Sequence, residues 1–104
     1  MPIYSATGRR DVPPSHPGEL MHEALTEHLR MPIALAARRM GISRQTLHAI
    51  LAGRAPVTVE VALRFSALAG GTPGLLLRMQ QACDLWHAER RLRNELERIR
   101  TEAA

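Results

Sequence analysis

Apolar residues recur at helical rather than alternating spacing along most of this 104-residue chain, and their punctuation divides it into five helices. Leu20, Ala24, Leu25 and Leu29 make one face of a first helix over about 17–29, opened by Pro17 and with Glu19 where the helix dipole favours an acid. Pro32 opens a second helix of two turns, with Ile33, Ala36, Ala37 and Met40 inward and Gly41 as its stop. Ser43 is suited to cap a third, from Arg44 to about Ala52, with Leu47, Ile50 and Leu51 on its buried side and Gly53 after it. Past Pro56, Thr58 caps a fourth over about 59–69, where Ala62, Phe65, Leu68 and Ala69 fall in register before Gly70 and Gly71. A fifth begins near Pro73 and Gly74 and carries Leu75, Met79, Ala82, Cys83 and Trp86 on one face. The brief Val57-Thr58-Val59 run reads as the lead into a helix, so the expectation is an all-α protein.

Both ends lack this regularity. Residues 1–16 hold Gly8, Pro13 and Pro14 with no apolar period, which predicts a flexible N-terminal arm, with a short strand near Ile3 and Tyr4 as its one candidate element. One domain is expected over 17–88, followed by a charged helical extension over 89–104. In that extension Leu92, Leu96 and Ile99 stand among Arg and Glu, with Glu89 to Arg93 and Arg98 to Glu102 spaced for i,i+4 ion pairs. The spacing fits a short coiled-coil seam and a solvated helical tail equally.

Composition sharpens this picture in three places. Tyr4, Phe65 and Trp86 are the only aromatics, so the core must be aliphatic. The net charge of +4 is unevenly placed. Residues 32–70 carry Arg38, Arg39, Arg44, Arg54 and Arg64 against Glu60 alone, while the flanking segments nearly balance. Every basic residue is arginine, which suits bidentate contacts to phosphate or guanine and equally reflects a GC-rich coding bias. A lone Cys83 excludes an intrachain disulfide and fits a reducing cytosol. No signal-like apolar region opens the chain and no apolar run nears the roughly 20 residues of a membrane span, so a soluble cytoplasmic protein is expected, with no membrane partner.

The basic centre coincides with a helix-turn-helix pattern over residues 33–52. Ala37 lies four residues before Gly41 and Leu47 six after it. A small residue lets the two helices cross closely, glycine takes the turn's backbone conformation, and an aliphatic locks the second helix to the core. The other face of that second helix then carries Arg44, Gln45, Thr46, His48 and Ala49, with Ser43 at its N-terminus, where amide groups can meet a phosphate. Arg suits guanine, Gln suits adenine, and a Thr or Ala methyl can meet thymine. Arg54, Arg38 and Arg39 are the candidates for phosphate contacts, which position without specifying. Any two helices joined by a glycine turn share part of this layout; the central charge and the five helices ordered around it favour double-stranded DNA as the partner.

Other chemistries find less support. His16, His22, His28, His48 and His87 show no i,i+4 pair and no cysteine company, so no metal site or cofactor is expected. Glu19, His22 and Glu23 read as a solvated helix face, and neither Ser43 nor Cys83 has a base at motif spacing. No catalytic residue, and no enzyme, is expected.

Several further segments fall into one pattern: Pro14-Ser-His-Pro-Gly-Glu-Leu20, Gly41-Ile-Ser-Arg-Gln-Thr-Leu47, Leu51-Ala-Gly-Arg54, Thr58 through Arg64, Gly71-Thr-Pro73, Leu77-Arg-Met-Gln80 and Asp84-Leu-Trp86. Together they resemble, over about residues 14–88, the Xre-type helix-turn-helix family of phage repressors, and within it the HigA-type antitoxins. The chain departs from that pattern at Gly74-Leu75-Leu76, at Cys83 and at Pro32. The resemblance implies a five-helix phage-repressor-like domain with a flexible arm and an extended C-terminal helix. It also implies a homodimer on a palindromic operator in its own promoter, and a HigB-like mRNA-cleaving toxin as protein partner. A solitary Xre-type repressor without a toxin is the alternative. Dimerisation has an independent argument, because two recognition helices about 34 Å apart make a symmetric operator readable, and the apolar fifth helix is the expected dimer surface.

Overall fold

In the computed structural model, residues 12–103 are described, and they are helical with no strand among them. The strand considered at Ile3 and Tyr4, and most of the N-terminal arm, lie outside the described residues. The helices are α1 (Pro17–Glu23), continued by a wider π-helical turn (Ala24–His28), then α2 (Ile33–Met40), α3 (Arg44–Leu51), α4 (Val59–Ala69), α5 (Pro73–Arg91) and α6 (Arg93–Ala103). Five of the helix starts follow the punctuation in the sequence. Ser43 and Thr58 each cap their helix through the side-chain oxygen, and Pro17 and Pro73 stand in first turns.

The first helix departs from expectation in two ways. Its buried stripe is Pro17, Gly18, Met21 and Leu25, whereas Leu20, expected inside, is exposed at 37% and Ala24 and Leu29 are half-buried. Gly18 explains the shift: a Cβ there would overlap the Ile50 carbonyl oxygen, so α1 lays its glycine edge directly on the end of α3. The ladder also widens over Ala24–His28, where Leu29 N–H bonds to Ala24 O across five residues. Thr26 Oγ1 donates to His22 O at 2.9 Å, engaging a carbonyl that an undisturbed α-helix would reserve for its own backbone.

Helix α5 lies against α4 and α1. Leu76, Gln80 and Cys83 form its buried face, not the expected row of Leu75, Met79, Ala82 and Trp86 with Cys83. Leu75 is 45% exposed, and Met79, Ala82 and Trp86 form a half-covered flank beside the buried face. The C-terminal extension is a separate helix rather than a continuation of α5. The chain breaks at Leu92, although no Gly or Pro marks the position. That break separates Glu89 from Arg93, and the exposed pair that forms beyond it is Arg100–Glu97 at 3.4 Å, in place of Arg98–Glu102.

One core joins the first five helices: Met21 and Leu25 from α1 and its π turn, Ala36, Ala37 and Met40 from α2, Leu47, Ile50 and Leu51 from α3, Val61, Ala62 and Phe65 from α4, and Leu76 from α5, with Val57 closing it from the loop. Among the described residues Phe65 is its only aromatic member, so the core there is aliphatic, as composition required.

Candidate nucleic-acid interface

Helices α2 and α3 meet through a turn built on Gly41, which takes φ 75°, ψ 29°. A side chain is disfavoured in that left-handed conformation, and a Cβ would also press on the Arg64 guanidinium, 2.7 Å away. Three of the carbonyls freed at the end of α2 are occupied. Ile42 N–H bonds to Ala37 O at 3.0 Å, Gly41 N–H to Arg38 O at 3.2 Å, and Arg64 Nη1 donates to Met40 O at 2.7 Å. Arg64 reaches across from α4 and is steadied by Glu60 at 3.3 Å, so it braces the turn. Sequence reasoning counted Arg64 only as charge, because the carbonyl it caps lies 24 residues away.

With Leu47, Ile50 and Leu51 buried, α3 turns its opposite side to solvent. Arg44, Gln45 and Thr46 are exposed there, and Ala49 is half-buried one turn on. Ser43 Oγ accepts from Thr46 N–H at 3.0 Å and donates to Thr46 Oγ1 at 2.7 Å, so these two hydroxyls are committed to each other. The Arg44 and Gln45 amides precede the capped one and point along the axis toward solvent, a favourable end for an anion. Arg38 and Arg39 are exposed near the end of α2, and Arg54 is exposed in the loop beyond α3, where its N–H bonds to Ala49 O at 2.8 Å.

His48 is the member of the proposed reading set that the fold draws aside. It lines a groove of about 750 Å³ with Glu19, Glu23 and Glu27, whose carboxylates repel phosphate. The candidate contacts therefore divide: Arg44, Gln45, Thr46 and Ala49 along the solvent side of α3, Arg38, Arg39 and Arg54 at its margins, and His48 on the acidic flank.

Burial first, then the carboxylates of Asp84 and Glu19, push the Cys83 thiol up, so it stays protonated near neutral pH and is a poor nucleophile. Among the described residues no group of three His, Cys, Asp or Glu side chains could hold a metal ion, and no helix is long and apolar enough to cross a membrane.

Comparison with known proteins agrees with the fold. No family model matches the chain. The HTH-type transcriptional regulator YddM of Escherichia coli K12, itself uncharacterized, is 35% identical over 74 residues, covering 71% of this chain and 78% of the relative. A solved addiction module antidote protein of the HigA family from Coxiella burnetii superposes with a TM-score of 0.74 at 31% identity, over 84% of this chain and 95% of that one. The Pseudomonas aeruginosa antitoxin HigA, solved with the higBA promoter, shares the fold with a TM-score of 0.73 at 20% identity, over 82% and 92% of the two chains.

Proposed function

Because this chain belongs to the HTH-type transcriptional regulators, among the HigA-type antitoxins of the Xre family, we propose that it binds an operator in its own promoter as a homodimer and neutralises a small HigB-like, mRNA-cleaving toxin. The observation that carries the DNA half is the exposed Arg44-Gln45-Thr46 edge of α3, flanked by Arg38, Arg39 and Arg54 and backed by buried Leu47, Ile50 and Leu51. In the major groove Gln45 and Arg44 read base edges, while the marginal arginines meet phosphates. The half-covered flank of α5, Met79, Ala82 and Trp86, together with exposed Leu75, is the surface a second copy would cover. A domain over 17–88 supplies these contacts and 89–104 extends from it.

Gln45→Ala is expected to weaken operator binding about 10- to 100-fold and random-sequence DNA hardly at all, as fits the loss of one bidentate base contact. Arg54→Ala is expected to weaken both DNAs alike and to reduce the dependence of log affinity on log salt by about one phosphate contact. Titrating both variants on both duplexes over a salt series separates these roles; equal losses everywhere would remove the distinction between reader and phosphate contact.

The toxin half is tested by co-expressing the tagged chain with the product of the adjacent small reading frame, and by expressing that product alone. A stable complex, with toxicity that this chain relieves, supports the antitoxin. Operator binding with neither complex nor toxicity supports instead a solitary repressor.

A further inference from the structure

We propose that Gln80 is a positioning residue for DNA binding, holding from helix α5 the loop that presents Arg54. Gln80 is a polar side chain buried to 7% exposure on the core face of α5. Its Oε1 accepts from Val57 N–H at 2.8 Å, across 23 residues of chain, and its Nε2 donates to Asp84 Oδ1 at 2.9 Å. The carboxylate accepts only, so it holds the amide with its carbonyl toward Val57.

The far half of the loop between α3 and α4 depends on that bond. Gly53 N–H bonds to Ile50 O, and Arg54 and Ala55 N–H both bond to Ala49 O, so the near half is tied back to α3. Pro56 has no N–H to give. Val57 N–H is then the amide that anchors the far half, and its acceptor lies outside the helix-turn-helix. Arg54, Ala55 and Pro56 line one cavity with Gln80 and Asp84, so the clamp stands beside the residue it positions. An amide without its acceptor inside the core is costly, so losing Gln80 would let the loop move until Val57 N–H finds water. Arg54 would move with it. This inference rests on the reading of Arg54 as a phosphate contact.

The test uses the full chain with a duplex carrying its own promoter and with random-sequence duplex, over a salt series, with thermal melts alongside. Gln80→Glu keeps the shape but turns a carboxylate oxygen toward Asp84, and the repulsion between the two carboxylates draws the side chain off Val57 N–H. Adding Asp84→Asn returns a donor at position 84 and restores the pair with polarity reversed. Gln80→Glu is expected to weaken both duplexes about tenfold and lower the salt slope by about one, as Arg54→Ala does. Adding Arg54→Ala to it should cost little more, and the double change at 80 and 84 should recover the slope. If Gln80→Glu does not fold, Gln80→Met, similar in length and unable to make the Val57–Asp84 bridge, is expected to lose the same slope.

A lowered melting temperature with wild-type slope, or full additivity with Arg54→Ala, would leave Gln80 a purely structural residue and overturn the proposal. An Arg54→Ala variant with unchanged slope would overturn the underlying reading of the loop as well, which keeps the two failures distinct.

Discussion

Gly18→Ala should lower the stability of this protein by about 3 kcal/mol, although alanine is the better helix former. In an isolated helix the substitution would gain up to about 1 kcal/mol. Here the added methyl would overlap the Ile50 carbonyl oxygen and stand 3.0 Å from His16 Nδ1. The first of these is backbone and cannot rotate away. His16 is also committed, since its Nδ1 accepts from Gly18 N–H at 2.9 Å and caps α1. Helix α1 must therefore lift from the end of α3, uncovering Met21 and Leu25, both fully buried. In a domain of this size the loss corresponds to a fall in melting temperature of order 15 °C, readable by circular dichroism. A variant as stable as the parent would mean that α1 and α3 do not approach as closely as described.

Leu47→Ala should cost about 3–4 kcal/mol, because Leu47 is fully buried at the centre of α3 and the helices around it cannot all close on the space left. Against a total of roughly 5–15 kcal/mol for a domain, this leaves little reserve. The effect on DNA binding should follow stability: operator affinity falls at growth temperature and recovers on cooling to the range where the variant is folded. Gln45→Ala, two residues away on the same helix, should show the reverse pattern, with an unchanged melting curve and weak operator binding at every temperature. A Leu47 variant that melts normally but has lost the operator would place Leu47 in the contact surface instead of the core.

The contrast between these two residues of α3 was legible in the sequence, and so was most of the helix-turn-helix. Ser43, Gly41 and Thr58 act through contacts within three to five residues, so the cap and turn they form are written into adjacent positions. The buried row of α3 follows from an apolar period that admits one inward face, whereas Ile33 on α2 and Leu68 and Ala69 on α4, all expected inside, are half-buried, and Val61 joins the buried row of α4 in their place. The solvent side of α3, and with it Arg44, Gln45 and Thr46, could be read because the opposite side offered only Leu47, Ile50 and Leu51 to the core.

Where a helix offered two apolar rows, the sequence could not choose between them. On α1 the row through Leu20 competes with that through Met21, and the glycine edge of Gly18 against α3 decides for the second. On α5 the row through Leu75 competes with that through Leu76, and a buried glutamine between Leu76 and Cys83 would ordinarily argue against the latter. It is accepted because Val57 N–H and the Asp84 carboxylate satisfy its amide. His48 sits at helical spacing suited to a base reader, yet the carboxylates that share its groove come from another helix.

The all-helical class, the turn between α2 and α3 and the exposed edge of α3 follow from periodicity, caps and glycine conformation over a few residues. The tertiary structure alone decided which faces of α1 and α5 are buried and what Arg64 and Gln80 hold. Their partners lie 24 and 23 residues away, beyond the reach of any local pattern.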